Sequence, residues 1–388
     1  MMYNEKAGVL VFGAQHPTGL MTARSLRGLG VDIIGIAFGE SPCLRSSVWS
    51  SILITERTSE AVMHAVLTTA AARTGRLLLL PADDDCVKIL SDRRHELPSS
   101  CILIMPDVET VDLLLDKSKF FCWAEAHGFP LPKTIEVTGF DQLDNAIREI
   151  GYPVLLKPLY RSWLWNNEIP NDKVFILESH KQYEQLPQRL FDVAPTMLVQ
   201  QWIPGGDDEV YFCLVQYSSE GKLANYFSGR KLMQWPPLGG STAIAVSDEL
   251  DETRDITVAI FDSVKYQGLG SMEYKKDPRN GKFYIMEPTV GRNDFQSYVA
   301  VTGGVNLTRA TCRELLGEVA EKTRKRPSVW FCETSAGYGL KYYLRRKDYY
   351  FMKHLALLFR KPGFAYFSLS DTKPFIELLR NRFGKPVH

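Results

Sequence analysis

Short apolar runs, closed by glycine and separated by amphipathic stretches, open the chain. Val9-Leu10-Val11-Phe12 ends in Gly13, and after Gly19 the positions Ala23, Leu26 and Leu29 carry the spacing of a helix buried on one side. Val31 to Ile36 is a second apolar run, following Gly28 and Gly30. Leu77 to Leu80 is a third, ending in Pro81-Ala82-Asp83-Asp84-Asp85. This strand, helix, strand rhythm predicts a doubly wound sheet. The three aspartates read either as a helix N-cap or as groups that hold a substrate at the C-terminal edge of that sheet.

A different rhythm follows the helix-like segment Phe120 to His127, where the prolines of Gly128-Phe129-Pro130-Leu131-Pro132 force an extended exit. Phe140 to Ile150 predicts a helix, Tyr152 to Lys157 a strand, Val174 to Leu177 another strand and His180 to Phe191 a second helix, together a compact α+β module. Met197 to Ile203 is a strand running into Pro204-Gly205-Gly206, a hinge before the strand Glu209 to Tyr217. Asn225 to Gln234, the loop Pro236 to Gly240, a helix from Asp251 to Gln267 and a hairpin about Asn280-Gly281 complete a larger mixed unit.

That hairpin carries the most informative chemistry. Glu273 and Glu287 each lie seven residues from Asn280, so folding about the turn brings two carboxylates together across the ladder. Like charges in that position remain ionised only with something positive between them, and Mg²⁺, which takes one or two carboxylates and fills its other positions with water and phosphate oxygens, suits the pair. The alternative is an exposed hairpin with two solvated acids.

Composition narrows the setting. The 388 residues suffice for two or three domains, with 45% apolar and 23% charged residues and no run long enough to span a membrane. A net charge of +1 favours no polyanionic partner, and seven scattered cysteines without a Cys-x-x-Cys pair indicate neither a disulfide framework nor a zinc site. The N-terminus lacks the long apolar segment of a secretion signal, so a cytoplasmic location is expected. Neither the Gly-x-Gly-x-x-Gly fingerprint nor a Gly-Lys-[Ser/Thr] phosphate loop occurs, and NAD finds little support. The basic, aromatic run Lys341 to Lys347 fits either a helical cap over an apolar surface or contact with a membrane surface or nucleic acid.

Three lysines stand where a phosphate could be reached: Lys117 ahead of a helix, Lys157 at the end of an apolar strand, and Lys231 after Gly229-Arg230. Each alone reads first as a surface lysine, Lys157 least so because it ends an apolar strand. Gln200, Gln201, Trp202 and Ile203 lie between the two modules, where backbone groups suit an adenine edge, and Glu209 lies where a carboxylate suits both ribose hydroxyls; an ordinary strand pair is the plainer reading.

This order of pieces resembles the ATP-grasp superfamily over roughly residues 8 to 315: Asp116-Lys117 and Gly-x-Pro-x-Pro, Tyr152 to Pro158, Val199 to Gly205 with Glu209, then Glu273 and Glu287. It looks closest to the carboxylate–amine ligases, whose second acidic motif reads as Glu287-Pro288-Thr289-Val290-Gly291-Arg292 does; Ser368 to Phe375 also looks like that group. The resemblance implies a mixed α/β and α+β chain: a Rossmann-like pre-ATP-grasp domain over 1–117, a small, mobile ATP-grasp subdomain over 118–198, a large one with the metal site over 199–320, and a helical, aromatic extension over 321–388. It further implies ATP and Mg²⁺, with Lys117 and Lys157 at the phosphates, Gln200 to Ile203 at the adenine, Glu209 at the ribose, and Glu273 and Glu287 at the metal. Lys173 reads either as a further phosphate contact or as a strand-edge lysine, and Arg292, whose guanidinium fork matches phosphoryl oxygens, is the candidate catalytic residue, with Lys231 second. Small carboxylate and amine substrates follow, joined with release of ADP, with neither nucleic acid nor a membrane span as partner, and a homodimer is compatible with it. Two departures stand out. Thr289 occupies the position of an expected asparagine metal ligand, for which Asn293 or water would substitute, and Arg161 to Asp172 replaces the usual glycine-rich loop. Asp83, Asp84 and Gly239 to Thr242 are candidate substrate-lining residues.

Overall fold

A computed structural model describes residues 7–159, 168–169, 174–318, 323–347 and 350–383. Its first sheet is parallel, built from β1 (Gly8–Phe12), β2 (Asp32–Ala37), β3 (Ser51–Ile54), β4 (Leu77–Leu80) and β5 (Cys101–Ile102) in the order β3-β2-β1-β4-β5. Both faces of β1 are covered: Leu10 and Phe12 enter one core cluster, Val9 and Val11 another, which is why the strand reads as unbroken apolar sequence. The apolar run at Leu77 is therefore the fourth strand in chain order rather than the third. β3 escaped the sequence reading because it is a short edge strand whose Leu53 and Ile54 are exposed, and β5 because it is two residues long.

The second sheet is antiparallel, β6 (Thr134–Val137), β9 (Met197–Gln201), β7 (Val154–Pro158) and β8 (Phe175–Leu177), neighbours in that order. Helix Phe140–Ile150 lays Leu143, Ala146 and Ile147 on it, one apolar stripe at helical spacing. The helix expected over His180 to Phe191 is two short ones, His180–Tyr183 and Leu190–Val193. Pro187 accounts for the break, since it has no N–H to donate and disfavours the helical conformation at Leu186.

The third sheet has seven strands in the order β14 (Phe283–Val290), β13 (Gly268–Lys276), β10 (Val210–Tyr217), β11 (Leu223–Trp235), β12 (Ser241–Ser247), β15 (Val329–Phe331) and β16 (Gly363–Phe364), antiparallel except for the last pair. Helix Asp251–Ser263 packs Ile260 and Phe261 against Tyr266 and Tyr217 on one face. The segment after residue 321 is helical and aromatic in part, yet β15 and β16 extend this sheet, and helix Glu333–Arg345 presses Gly339 onto Met233. Within the basic run, Tyr342 stands edge-on to Trp235, 5.5 Å between ring centroids, as a cap over that indole.

A buried ion pair fastens the C-terminal segment to the first domain. Asp371 accepts hydrogen bonds from Arg24 Nε (3.2 Å) and Nη2 (3.0 Å), Ser46 Oγ (2.5 Å) and the Ser47 N–H (3.0 Å). Burial alone would raise its carboxyl; Ser46, the Ser47 N–H and Arg24 outweigh that and hold it below the usual range. A lowered native value means its contribution is complete above the ordinary aspartate pKa of about 3.9 and is lost as pH falls below it. Asp371→Ala leaves Arg24 buried without its partner and is expected to cost about 3–5 kcal/mol at pH 7 in denaturant unfolding, a deficit that shrinks below pH 4.

Candidate active site

The β13–β14 hairpin forms the floor of the site, and its register places Glu273 directly opposite Glu287. Two local features set that register. The Gly281 N–H donates to Asp277 O (2.7 Å), with Gly281 in the left-handed region at φ 73°, which closes the turn where the sequence marked it. A bulge then falls at Met286, between the pairs Tyr274/Ile285 and Glu273/Glu287. Along β13 the core takes Met272 and Tyr274, so Ser271, Glu273 and Lys275 share the opposite face.

Positive charge surrounds the two acids. Lys231, buried on β11, places Nζ 2.5 Å from Glu273 Oε2, and Lys117, the first residue of helix Lys117–Ala126, places Nζ 3.2 Å from Glu287 Oε2. Asp116 caps that helix by accepting from the Lys119 N–H at 3.0 Å. Burial raises the Glu273 carboxyl above the usual range, with Lys231 working against it and Glu287 adding to it. For Glu287 burial pulls upward too, but Lys117, then Lys231 and Lys157, prevail and hold it below the usual range. Lys231 remains above its ordinary value despite burial, because Glu273, Asp294 and Glu287 favour its charged form.

Lys157 comes from β7 of the small sheet, which lies over this floor. Its Nζ donates to Gln200 Oε1 (3.1 Å) and lies 5.5 Å from the Phe121 ring centroid. Burial, then the neighbouring Lys117, push it down to about 8. The Gln201 and Trp202 N–H groups already donate to Lys133 O (2.8 Å) and Pro153 O (3.2 Å), so the backbone edge expected for adenine reduces to Ile203 and the carbonyls of the segment. Glu209 ends a 3₁₀ turn, Asp207–Glu209, just ahead of Val210, which lines the cavity. Lys173 and nearly all of the segment 161–172 lie outside the described residues.

A cavity of about 450 Å³ joins these pieces. Lys157 and Gln200 to Ile203 line it from the small sheet, Lys231, Glu273, Lys275 and Glu287 from the floor, and Arg292, Asp294, Gln296 and Gly239 to Thr242 from the far side. Arg292 Nε donates to Asp84 Oδ1 at 2.6 Å, which ties the cavity wall to the first domain. Asp83 is a helix N-cap, accepting from the Cys86 N–H at 2.8 Å. Asn293 does not stand in for the missing asparagine ligand: it is buried, its Nδ2 donating to Thr22 Oγ1 (2.9 Å) and Thr308 Oγ1 (2.8 Å). Asp294, which sequence reasoning passed over, is the residue of that stretch that lines the cavity with an acid. Its place two residues beyond Arg292 was the available signal.

The donor set fits a hard divalent cation bound beside phosphate. Two carboxylates face each other, and lysine ammoniums lie against both, as expected where a cation is called for. Among the described residues no group of three or more His, Cys, Asp or Glu side chains is gathered to hold a metal. Mg²⁺ asks for no more than one or two protein carboxylates, since that ion keeps water and phosphate as ligands. Among the same residues no helix is long and apolar enough to cross a membrane.

No family model matches the chain. It is 23% identical over 245 residues to D-aspartate ligase of Enterococcus faecium (strain Aus0004), covering 61% of this chain and 58% of that protein. To the carbamoyl phosphate synthase large chain of Corynebacterium glutamicum it is 24% identical over 216 residues, 54% of this chain and 18% of that one. The chain thus spans less than two thirds of the length of these curated relatives. N5-carboxyaminoimidazole ribonucleotide synthetase from Thermus thermophilus has the same fold, with a TM-score of 0.62 at 16% identity over 83% of this chain and 82% of that one. Biotin carboxylase from Campylobacter jejuni, solved as a β,γ-ATP complex, gives 0.62 at 17% identity over 83% and 74%. The chain thus shares the fold of these synthetase and carboxylase structures.

Proposed function

We propose that the protein is an ATP-dependent ligase that joins a carboxylic acid to an amine and releases ADP and phosphate. The observation that carries this is the opposed pair Glu273 and Glu287, set with Lys157 and Lys231 in one cavity between two sheets, with Lys117 paired to Glu287. Mg²⁺ held by Glu273 and Glu287 would neutralise phosphate charge. Lys117 and Lys157 take the phosphate oxygens, Ile203 and the carbonyls beside it the adenine, and Glu209 the ribose. The substrate carboxylate attacks the γ-phosphorus, the bond to ADP breaks, and an acyl phosphate forms. Arg292 and Lys231 steady its oxygens, the guanidinium by its fork of donors and the ammonium as a point charge. The amine then attacks the carbonyl carbon, phosphate leaves and the amine's proton is lost, giving the amide. Closure of 118–198 about Pro204-Gly205-Gly206 keeps water from the acyl phosphate.

Hydroxylamine, which traps acyl phosphates as hydroxamates, tests the reading. ADP release with MgATP and a panel of acids should be matched by hydroxamate, and the name of the Enterococcus relative makes D-aspartate the first acid to try. Turnover that requires bicarbonate, with no hydroxamate from any organic acid, would overturn it in favour of a carboxylase-like reaction, the second reading, which the synthetase and carboxylase folds support. Crystals with and without an ATP analogue are expected to differ in the position of 118–198; identical positions would count against closure.

A further inference from the structure

The β13 strand is a ruler along the cavity. Side chains on one face of a strand recur about every 6.6 Å, and on the cavity face these are Lys275, Glu273 and Ser271. Lys275 Nζ donates to the carbonyls of Gly205 (3.0 Å) and Gly206 (2.5 Å), which marks the hinge end, near Gln200 to Ile203. Glu273 with Lys231 marks the middle. Ser271 Oγ donates to Asp294 Oδ2 at 2.8 Å. Asp294 therefore stands one step past the acidic pair, on the side away from the residues assigned to adenine.

Its surroundings are built. Gln296 Nε2 donates to Asp294 Oδ2 (2.9 Å), the Phe295 N–H donates to Oδ1 (2.7 Å), and Thr242 Oγ1 donates to Gln296 Oε1 (3.0 Å), which turns the amide so that its NH₂ faces the acid. Thr242, Gln296 and Ser271 are 1%, 2% and 1% exposed, so these donors are held in place. Yet among the described residues no lysine or arginine comes within 4.0 Å of Asp294: Lys231 and Arg292, whose charged forms Asp294 favours from farther off, make their ion pairs with Glu273 and Asp84. Among the described residues Asp294 is not gathered with Glu273 and Glu287 into a group of three. A fixed carboxylate with donors but no cation in direct contact repels a bare carboxylic acid and suits an ammonium. Arg292, in the same wall, offers the opposite charge to a carboxylate.

The geometry points to Asp294 as the residue that selects the acid substrate: an acid bearing an ammonium near its reacting carboxyl, with an α-amino acid the simplest case. This assignment rests on the ligase reading above and names the class of acid within it.

The test uses the full chain with MgATP and hydroxylamine as acceptor, comparing amino acids with the same acids lacking the amino group, D- and L-aspartate against succinate first. The amino-bearing member of the productive pair is expected to exceed its partner by about 100-fold or more in kcat/KM, as for a site with a buried polar group left unpaired by the wrong substrate. Asp294→Asn should shrink that gap to about 5-fold or less, chiefly through KM, with the MgADP-induced rise in Tm retained. Equal turnover of both members by the native protein, or an unchanged preference in Asp294→Asn, would overturn the assignment. Loss of the MgADP effect in Asp294→Asn would also overturn it, by placing Asp294 with the nucleotide and metal. Hydroxamate from no acid at all strikes the ligase reading itself, and this inference falls with it.

Discussion

Glu273→Gln should both abolish ATP-dependent turnover and loosen the fold, and the two effects should separate on adding a second substitution. Lys231 is 6% exposed and its ammonium lies 2.5 Å from Glu273, so removing the carboxylate's charge strands a buried cation. Breaking a buried pair from one side typically costs about 3–5 kcal/mol, more than the pair itself contributes over an apolar replacement. Glu273→Gln is therefore expected to fall in that range in denaturant unfolding without nucleotide, and Lys231→Met added to it should restore most of the loss. Turnover should behave otherwise. Both variants lack one of the two carboxylates proposed to hold Mg²⁺, and both should fall on the order of 1,000-fold in kcat. A double variant that regains activity along with stability would show that Glu273 serves the fold and not the chemistry.

Lys157→Met is expected to remove the pH dependence of nucleotide binding. Burial, with Lys117 nearby, has pushed the native Lys157 down to about 8 from an unfolded value near 10.5. The sign follows from proton counts: between about pH 8 and 10.4 the unfolded chain binds the proton and the native site does not, so this group makes the free protein more stable as pH rises through that window. A phosphate favours the charged ammonium and acts in the opposite sense. MgADP affinity should thus be level below pH 7, then decline by up to about 10-fold per pH unit above 8, with proton uptake on binding visible in calorimetry as heat that depends on the buffer. In Lys157→Met affinity should be lower throughout and flat over that range. A native protein with no proton uptake at pH 8.5 would place Lys157 away from the phosphates.

What could be read in advance was local. Asn280-Gly281 set the turn, and side-chain alternation from the turn put Glu273 opposite Glu287, because hairpin register is decided within a few residues of the loop. The helix Phe140–Ile150 followed likewise from one apolar stripe. Pro187, a helix breaker, is legible within the segment His180 to Phe191 as well. The pairing of Lys231 with Glu273 was not legible: it depends on β11 and β13 flanking β10, a matter of strand order rather than of either segment. The same holds for Asn293, which by position alone could substitute as a metal ligand and by packing is bonded to Thr22 and Thr308.

The sequence by itself determined strands such as β1, β2, β4, β7 and β9, the acidic hairpin and the order of lysines along the chain, since each depends on neighbours within a turn or a ladder rung. Tertiary structure alone decided which lysine meets which glutamate, that Arg292 leans on Asp84, and that Asp294 faces the cavity with no ion pair among the described residues. Charge pairing acts over a few ångströms of space, and only the packed sheets bring residues that far apart in sequence within that reach.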